Sequence, residues 1–369
     1  MSSCAICDVY ACRVGRDDLG PDDCPMRGPF PQFDELYPPG PGRDLAFHAT
    51  RVEAEGYGRW TRLREVAELA HRLGWRRIGI AHCPGMDREG RLAAGFLARR
   101  GFEVVLPVEA GACDPVGQAE LFRSRGTELN AMAGMCVGHD TLFLRHAGAP
   151  STSLVARDLR LRHNPVAALW LRSGYLRNAL RGPASGPDPL ADPARGAVSG
   201  GWDDDALARA AGGVRDAAAA RRDPPCRLEE AMDFARRLGA RRLGVVYCSG
   251  FREEARALHH ILVANRFEVS SVCCKSGAVP KERLGIADGE KVRPGRPEMV
   301  CNPVAQADVL ESDGAELALL MGQCVGHDSA TISRLGIPAV CLVAKDRVLG
   351  HNTVAALYEL EDGAGQGRT

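Results

Sequence analysis

Aromatic side chains are scarce in this sequence, at 5% of its residues, and neither sign of charge is in excess. Lysine plus arginine and aspartate plus glutamate number 47 each, so the formal net charge is zero. A neutral, aromatic-poor chain offers no electrostatic or stacking basis for binding nucleic acid, and no attraction to an anionic membrane. We therefore expect neither a nucleic-acid partner nor a membrane partner.

Long apolar runs are missing as well. No run reaches the roughly 20 residues that a membrane-spanning helix needs. The first residues, MSSCAICDVYACRVGRDD, lack the apolar core of a secretion signal. On these grounds we expect a cytoplasmic protein. The length of 369 residues exceeds that of one ordinary core and indicates about two domains.

Cysteine, by contrast, is abundant, with 14 in the sequence. Structural disulfides are rare in a reducing compartment, where clustered cysteines more often bind metal or take part in redox chemistry. Isolated cysteines such as Cys226 and Cys341 are typical of small buried side chains. The remaining cysteines fall into patterns that burial alone does not explain.

The sequence contains an internal repeat, in which one unit occurs twice. RRIGIAHCPG at Arg76 matches RRLGVVYCSG at Arg241, 165 residues later. Farther on the offset is 188 residues: CDPVGQAE matches CNPVAQAD, CVGHDT matches CVGHDS, and SLVARDLRLRHNPVAALW matches CLVAKDRVLGHNTVAALY. The second copy therefore holds 23 additional residues within Lys275 to Met299. This insertion is rich in glycine, proline and lysine, so we interpret it as a surface loop.

The repeat divides the chain into four segments. Residues 1–30 form a separate cysteine-rich knuckle, 45–172 and 224–360 are the two copies, and 173–223 form a linker with one short helix. Within each copy, apolar strands alternate with amphipathic helices, which favours a mostly parallel sheet covered on both faces. The predicted fold class is α/β: two tandem Rossmann-like three-layer domains plus the N-terminal knuckle.

The cysteines of both copies fall at the carboxyl ends of the predicted strands, where open parallel sheets bind ligands. Four thiols of the second copy are expected to converge on a metal or cluster: Cys248, Cys274, Cys301 and Cys324. The first copy keeps three of them: Cys83, Cys113 and Cys136. Its counterpart of Cys274 is Glu109, which predicts an open or carboxylate-filled position. Thiolates in this number suit zinc or an iron–sulfur cluster.

A histidine follows the last cysteine of each set within the motif CVGHD. The two thiol–imidazole pairs are Cys136 with His139 and Cys324 with His327. Each pair suggests a nucleophilic thiolate with its base. The alternative is that the histidines only support a metal ligand, and that Asp140 and Asp328 only cap the helices that begin there.

The motif KDRVLGHN adds charged and imidazole groups after the last strand of the second copy. Its side chains are candidates to orient a substrate or tune a cluster, and a salt-bridged turn is the alternative. In the first copy Arg157 replaces the lysine and cannot act as a base. The candidate catalytic residues of both copies are His139, His163, His327, Lys345, Asp346 and His351.

The N-terminal cysteines have the spacing C-x2-C-x4-C-x11-C, formed by Cys4, Cys7, Cys12 and Cys24. A C-x2-C pair with two further thiols within about 20 residues is a fairly specific pattern for zinc or iron–sulfur. A segment this short needs a bound metal or a similar cross-link to be ordered. We therefore expect a third metal centre here.

At CNPVAQAD, CVGHDS and AKDRVLGHN the sequence resembles a family of uncharacterised bacterial and archaeal proteins described as predicted metal-binding proteins. The family pattern pairs an N-terminal cysteine cluster with strand-end cysteines such as YCSG and VCCKSG. The second copy matches best; the first matches at CVGHDTLF and RHNPVAALW but lacks the CCK pair. The resemblance implies metal binding and no particular reaction, and the tandem duplication departs from the family's single unit.

Three functions remain open from the sequence. The first is a metalloprotein with an iron–sulfur cluster at the strand edge of each copy, performing redox or sulfur-transfer chemistry on an unidentified small molecule or protein partner. The second is a non-catalytic zinc-binding sensor or metal carrier. The third is a metal-free enzyme that uses Cys324 with His327. The fold class cannot choose among them.

Overall fold

The computed structural model describes residues 1–27, 30–107, 113–182 and 203–364. The first copy and the helices around it are α1 (Phe33–Leu36), α2 (Pro41–Gly56), α3 (Arg62–Arg72), β1 (Arg77–Ala81), α4 (Asp87–Ala98), β2 (Glu103–Val105), α5 (Pro115–Ser124), β3 (Leu129–Ala133), α6 (Val137–His146), β4 (Ser151–Val155), α7 (Ala167–Trp170) and α8 (Arg177–Leu180). The rest of the chain forms α9 (Asp204–Ala219), α10 (Arg227–Leu238), β5 (Arg242–Tyr247), α11 (Arg252–Ala264), β6 (Glu268–Cys273), α12 (Pro303–Ser312), β7 (Leu317–Met321), α13 (His327–Arg334), β8 (Ala339–Val343) and α14 (Ala355–Ala364). None of the helices described combines the length and the apolar character that crossing a bilayer requires.

Each copy forms its own four-stranded sheet, and all pairings between neighbouring strands are parallel. The strand orders are β2-β1-β3-β4 and β6-β5-β7-β8, so the two sheets have the same topology. Every residue of β3 and β7 is buried, which explains why these strands consist of apolar residues apart from Asn130. The predicted α/β class, with one parallel sheet in each copy, is confirmed.

The predicted helix starts at Asp140 and Asp328 were wrong. The residue that precedes α6 is Cys136 and the residue that precedes α13 is Gly326. Both aspartates therefore lie inside their helices, where they are buried. A buried carboxylate needs a partner of opposite charge, and here the partner is an arginine of the other copy.

Two buried arginines join the copies in matching ways. Arg62 opens α3 and Arg227 opens α10, and each is at most 1% exposed. The guanidinium of Arg62 lies 2.6 Å from the carboxylate of Asp328 and also donates to backbone carbonyls of both copies. Arg227 pairs in the same way with Asp140 and with carbonyls of both copies. Around these pairs, α13 packs on β4 and α6 packs on β8, so each copy covers an edge strand of the other.

The segment 173–223, predicted as a linker with one short helix, contains the 16-residue helix α9. This helix packs against α6 of the first copy and α10 of the second. Its buried face is Leu207, Ala210, Ala211 and Val214. Those positions have helical spacing, but alanine makes the face only weakly apolar. The pattern therefore indicates a linker with a short helix more than a packed helix of this length.

Residues 1–27 are not separate from the second copy. Ser3 forms a parallel bridge with Ser271 of β6, and the Ser271 hydroxyl accepts a hydrogen bond of 2.9 Å from the amide of Ala5. The hydroxyl of Tyr247 donates to the carbonyl of Cys4 at 2.7 Å. Because β6 is an edge strand, its free backbone groups are available to an added segment. The N-terminal segment thus covers the outer edge of the second sheet.

The insertion of the second copy is more ordered than the predicted surface loop. It contains two 3-10 helices, Lys281–Leu284 and Asp288–Glu290, and both contact α2. Leu284 and Ile286 are buried in a small apolar cluster with Phe33. The insertion is therefore held between the second copy and the helices that precede the first sheet.

Candidate metal centres

Four thiols of the second copy meet at the carboxyl edge of its sheet. Cys248 and Cys274 follow β5 and β6, Cys324 follows β7 in the next turn, and Cys301 precedes α12. The sulfurs of Cys274 and Cys301 are 3.8 Å apart. The ammonium of Lys345 lies 2.8 Å from the sulfur of Cys248 and 3.4 Å from that of Cys324. The structure thus brings together all four thiols predicted there, and we call them the second-copy centre.

The glycine of CVGHD explains how α2 and α9 approach the two centres. Gly326 has a φ of +83°, and a Cβ there would lie 2.8 Å from the Cβ of Ala49 in α2. The matching Gly138 would place a Cβ 2.3 Å from that of Ala211 in α9. Neither gap admits a side chain, so glycine is required for α2 and α9 to pack beside the two centres.

Positive side chains surround the thiols of the second-copy centre. Besides Lys345, the ammonium of Lys275 lies 3.3 Å from the sulfur of Cys301, and the guanidinium of Arg347 lies 3.4 Å from that of Cys324. Burial lowers the pKa of Lys345, but the thiols of Cys248 and Cys324 outweigh burial and raise it above its usual range. Cations so close to sulfur favour the thiolate form, which is the form that binds metal.

The cysteine before the proline-initiated helix has a low pKa in both copies. A hydrogen bond with Cys274 and, against the effect of burial, the charge of Lys275 hold the pKa of Cys301 well below its usual range. In the first copy a hydrogen bond with Cys83 lowers the pKa of Cys113, again against burial. In both copies the hydrogen bond with the neighbouring thiol is the largest cause of the lowered pKa.

A carboxylate and an imidazole complete the second-copy centre. Ligand atoms of Glu53, Cys324 and His327 all lie within 4.8 Å of one another, and all three residues are buried. Glu53 belongs to α2, outside the second copy. Neither ring nitrogen of His327 has a hydrogen-bond partner among the described residues. Burial lowers the pKa of this imidazole, but the thiols of Cys301 and Cys324 outweigh it and raise the pKa to about 10.

The first copy brings together three thiols and an imidazole, which we call the first-copy centre. The sulfur of Cys113 lies 3.7 Å from that of Cys83 and 2.8 Å from Nδ1 of His139. Cys136 is buried beside Cys83 and His139. His139, which the sequence suggested as a base, therefore stands where a fourth ligand would be. Glu109, predicted at the position of Cys274, lies outside the described residues.

The N-terminal thiols share their site with a fifth thiol that the sequence analysis missed. A cavity of about 20 Å³ is lined by Cys4, Cys7, Cys12, Cys24 and Cys273. That volume is close to the space one water or one ion occupies. Successive residues of a strand point to opposite faces, so Cys273 faces this N-terminal centre while its neighbour Cys274 faces the second-copy centre.

The predicted site residue Asp346 is engaged by the backbone. One of its carboxylate oxygens accepts a 2.8 Å hydrogen bond from the amide of Arg62, and the other accepts from two amides of the following turn. In the first copy Asp158 accepts from the amide of Arg227, also at 2.8 Å. These aspartates hold the start of α3 and of α10, the two helices that carry the interface arginines.

The predicted site residues His351 and His163 support the same turn. Nδ1 of each ring lies 3.2 Å from a backbone amide, that of Asp346 or Asp158. The ring of His351 also packs on Phe251, with centroids 4.4 Å apart. Burial and, after it, the charges of the nearby lysine and arginine lower the pKa of His351 to about 4. Neutral His351 faces the space in front of the second-copy centre.

Two cysteines belong to none of the three centres. Cys226 precedes α10 and Cys341 lies within β8. Both are at most 3% exposed, and burial raises the pKa of each thiol. They act as small core side chains.

Comparison with known proteins gives a family without an assigned activity. The family model described as a protein of unknown function (DUF1847) matches residues 31–108, 106–154 and 202–342. An uncharacterized protein of Methanocaldococcus jannaschii is 37% identical over 132 residues, which are 36% of this chain and 66% of that relative. The match thus spans just under two thirds of the relative's own length.

Several solved structures are similar to this chain at low identity. Dph2 from Pyrococcus horikoshii with a 4Fe-4S cluster is 16% identical, with 82% of this chain and 91% of that chain covered and a TM-score of 0.23. An aspartate racemase homologue from the same organism is 12% identical, with 78% and 99% covered and a TM-score of 0.21. Likenesses with TM-scores this low carry no argument about function.

Proposed function

The chain belongs to a family of proteins of unknown function (DUF1847), and we propose from its own residues that it is a metalloprotein whose second-copy centre holds an iron–sulfur cluster. One observation carries the proposal: four buried thiols converge there from four separate loops, and three cationic side chains contact them. A cofactor bound at this centre would be buried at the edge where parallel sheets bind their ligands.

The donor set fits this cofactor. Four cysteine thiolates are the usual ligands of iron–sulfur clusters, and Cys248, Cys274, Cys301 and Cys324 would hold the cluster. A bound cluster would supply electron transfer. The four thiolates bring negative charge into a buried site, and the cations at 2.8 to 3.4 Å from their sulfurs offset that charge.

Other residues of the chain act around the centre. The four cysteines are each at most 5% exposed, so little water reaches their sulfurs. His327, whose buried ring lies beside the thiols of Cys301 and Cys324, is placed to hold a proton there. Glu53 binds Arg347 at 2.6 Å and so orients a cation toward the centre. These features support redox or sulfur-transfer chemistry with a small molecule or a protein partner, in the cytoplasm, where thiols remain reduced.

The first-copy centre has a different donor set, for which we propose a single structural ion. Three thiols and His139 make the Cys3His set that zinc takes in structural sites. Tetrahedral coordination at the usual zinc–sulfur distance places sulfurs about 3.8 Å apart. The separation of Cys83 and Cys113 is 3.7 Å, which supports one ion rather than a cluster.

The same geometric argument favours a second candidate function. Cys274 and Cys301 are 3.8 Å apart, whereas thiolates that bind different iron atoms of a cluster stand farther from one another. If the second-copy centre takes one zinc ion, the protein is a zinc-binding sensor or carrier without redox chemistry.

Anaerobic purification followed by a visible spectrum and counts of iron, zinc and acid-labile sulfide tests the proposal. We expect a brown protein with equal amounts of iron and sulfide, together with zinc from the first-copy centre. A colourless protein rich in zinc would replace the proposal with the sensor or carrier. A protein without any metal would contradict both and leave the metal-free enzyme that uses Cys324 and His327.

A further inference from the structure

A cleft of about 710 Å³ opens in front of the second-copy centre, and Cys248 lies in its wall. That volume is in the range of small-molecule sites. The walls come from five parts of the chain: the N-terminal segment, the end of α2, the turn after β5, the insertion and the turn after β8. Their charged groups include Arg13, Glu53, Arg293, Arg296, Lys345 and Arg347.

Positive charge dominates the lining of the cleft. Seven lysine and arginine side chains line it, against two carboxylates. Both carboxylates are already paired, Glu53 with Arg347 at 2.6 Å and Glu298 with Lys281 at 2.8 Å. The remaining arginines have no carboxylate partner in the part of the chain that the structure describes; they are Arg13, Arg293 and Arg296.

The two lysines of the cleft that contact the thiols also have no carboxylate partner among the described residues. The ammonium of Lys345 contacts the sulfurs of Cys248 and Cys324. Lys275 contacts the sulfur of Cys301 and the carbonyl of Met299. Cations therefore stand both at the floor and at the rim, and a bound anion would contact both groups.

The insertion presents its arginines on an ordered backbone. The amide of Arg293 donates to Glu298 at 2.8 Å, and the amide of Gly295 donates to Asp288 at the same distance. The first copy has no such insertion, and Leu159 stands where the second copy has Arg347. The cationic cleft thus belongs to the second copy, the one with four thiols.

We propose that this cleft binds a small molecule carrying two or more negative charges and presents it to the second-copy centre. Phosphate and carboxylate groups share the chemistry that arginine and lysine recognise. That the bound molecule is a substrate rests on the proposed function; the binding of an anion does not.

Calorimetric titration of the full chain, as purified, with pyrophosphate and separately with citrate tests the inference. We expect saturable binding that the double variant Arg293→Gln with Arg296→Gln weakens by at least about tenfold. The matched control is Arg99→Gln with Arg209→Gln, which removes the same charge from exposed positions outside the cleft. Tighter binding of pyrophosphate assigns a phosphorylated ligand, and tighter binding of citrate assigns a polycarboxylate.

Two results would overturn the inference: no binding of either anion at millimolar concentration, or equal weakening in the two double variants. Its failure is distinct from failure of the proposed function. If the protein is purified without metal and still binds an anion through Arg293 and Arg296, the anion-binding inference stands and the proposed cluster is contradicted. A brown protein that binds neither anion retains the cluster and loses the cleft.

Discussion

The two copies share a sheet topology and three thiol positions, yet their centres differ in the side chains that surround the sulfurs. The first-copy centre adds the imidazole of His139 to three thiols. The second adds a fourth thiol, Cys274, and places Lys345 and Arg347 against the sulfurs. The duplicated sheet places three thiols alike in both copies, whereas the residues that follow its strands differ and give each centre its own surroundings.

The largest effect is expected on the free energy of unfolding, at the interface between the two copies. Arg62→Ala and Arg227→Ala should each lower the free energy of unfolding by about 3–5 kcal/mol, because each leaves a buried aspartate without its cation. Denaturant unfolding followed by circular dichroism measures both, with the exposed Arg99→Ala as control. Losses below about 1 kcal/mol, or a loss in only one variant, would contradict a symmetric interface.

The next largest effect is expected on metal affinity, and it should differ between the two centres. Glu53→Gln removes the charge that holds Arg347, so the second-copy centre should bind its metal about 10–100-fold less tightly. The first-copy centre should keep its metal unchanged. Competition with a chelator measures both affinities. Glu55→Gln, on the same helix but paired with Arg72, is the matched control, and an equal effect there would remove Glu53 from the centre.

A smaller effect on metal binding is expected at the adjacent residues Cys273 and Cys274, which should serve different centres. Cys273→Ser should weaken metal binding at the N-terminal centre by about tenfold, since four other thiols remain there. Cys274→Ser should instead deplete the second-copy centre. Metal content after limited chelation distinguishes the two variants. Loss of metal from the same centre in both would show that the two side chains do not serve opposite faces of β6.

The smallest effect is expected at the matching surface pairs Arg77–Glu103 and Arg242–Glu268. These pairs are exposed, so solvent screens them and holding the side chains costs entropy. Arg77→Gln and Arg242→Gln should leave the denaturant midpoint unchanged within error. A clear shift in either variant would mean that surface charge, and not only the buried arginines, sets the stability of its copy.

Much of the fold is predictable because short, mostly apolar strands alternate with amphipathic helices, and some strands are continuous apolar runs. The strand β7, Leu317–Met321, is such a run, and the family resemblance stated from three motifs is confirmed. The helix α9 was underestimated because its buried face is mostly alanine. The misplaced starts of α6 and α13 have another cause: Asp140 and Asp328 suit helix caps, and only a partner far along the chain makes them core residues.

The sequence predicts most of the thiols that form the centres, but it predicts fewer of the residues that surround them. The offset of 165 residues that links Cys83 to Cys248 also links Arg62 to Arg227, a signal that could have identified the interface arginines. Strand alternation could have assigned Cys273 to the face opposite Cys274. Nothing local in the sequence indicates that Glu53 reaches the second-copy centre, because that contact depends on how the copies pack.

The central claim is that the two copies hold separate centres of different kinds. Its most direct test is the content of iron, zinc and sulfide in Cys136→Ala and Cys324→Ala, purified anaerobically beside the unchanged protein and checked for folding by circular dichroism. The account predicts that Cys324→Ala loses iron and sulfide but keeps zinc, and that Cys136→Ala loses zinc but keeps iron and sulfide. Two folded variants with the same metal content as each other would contradict it.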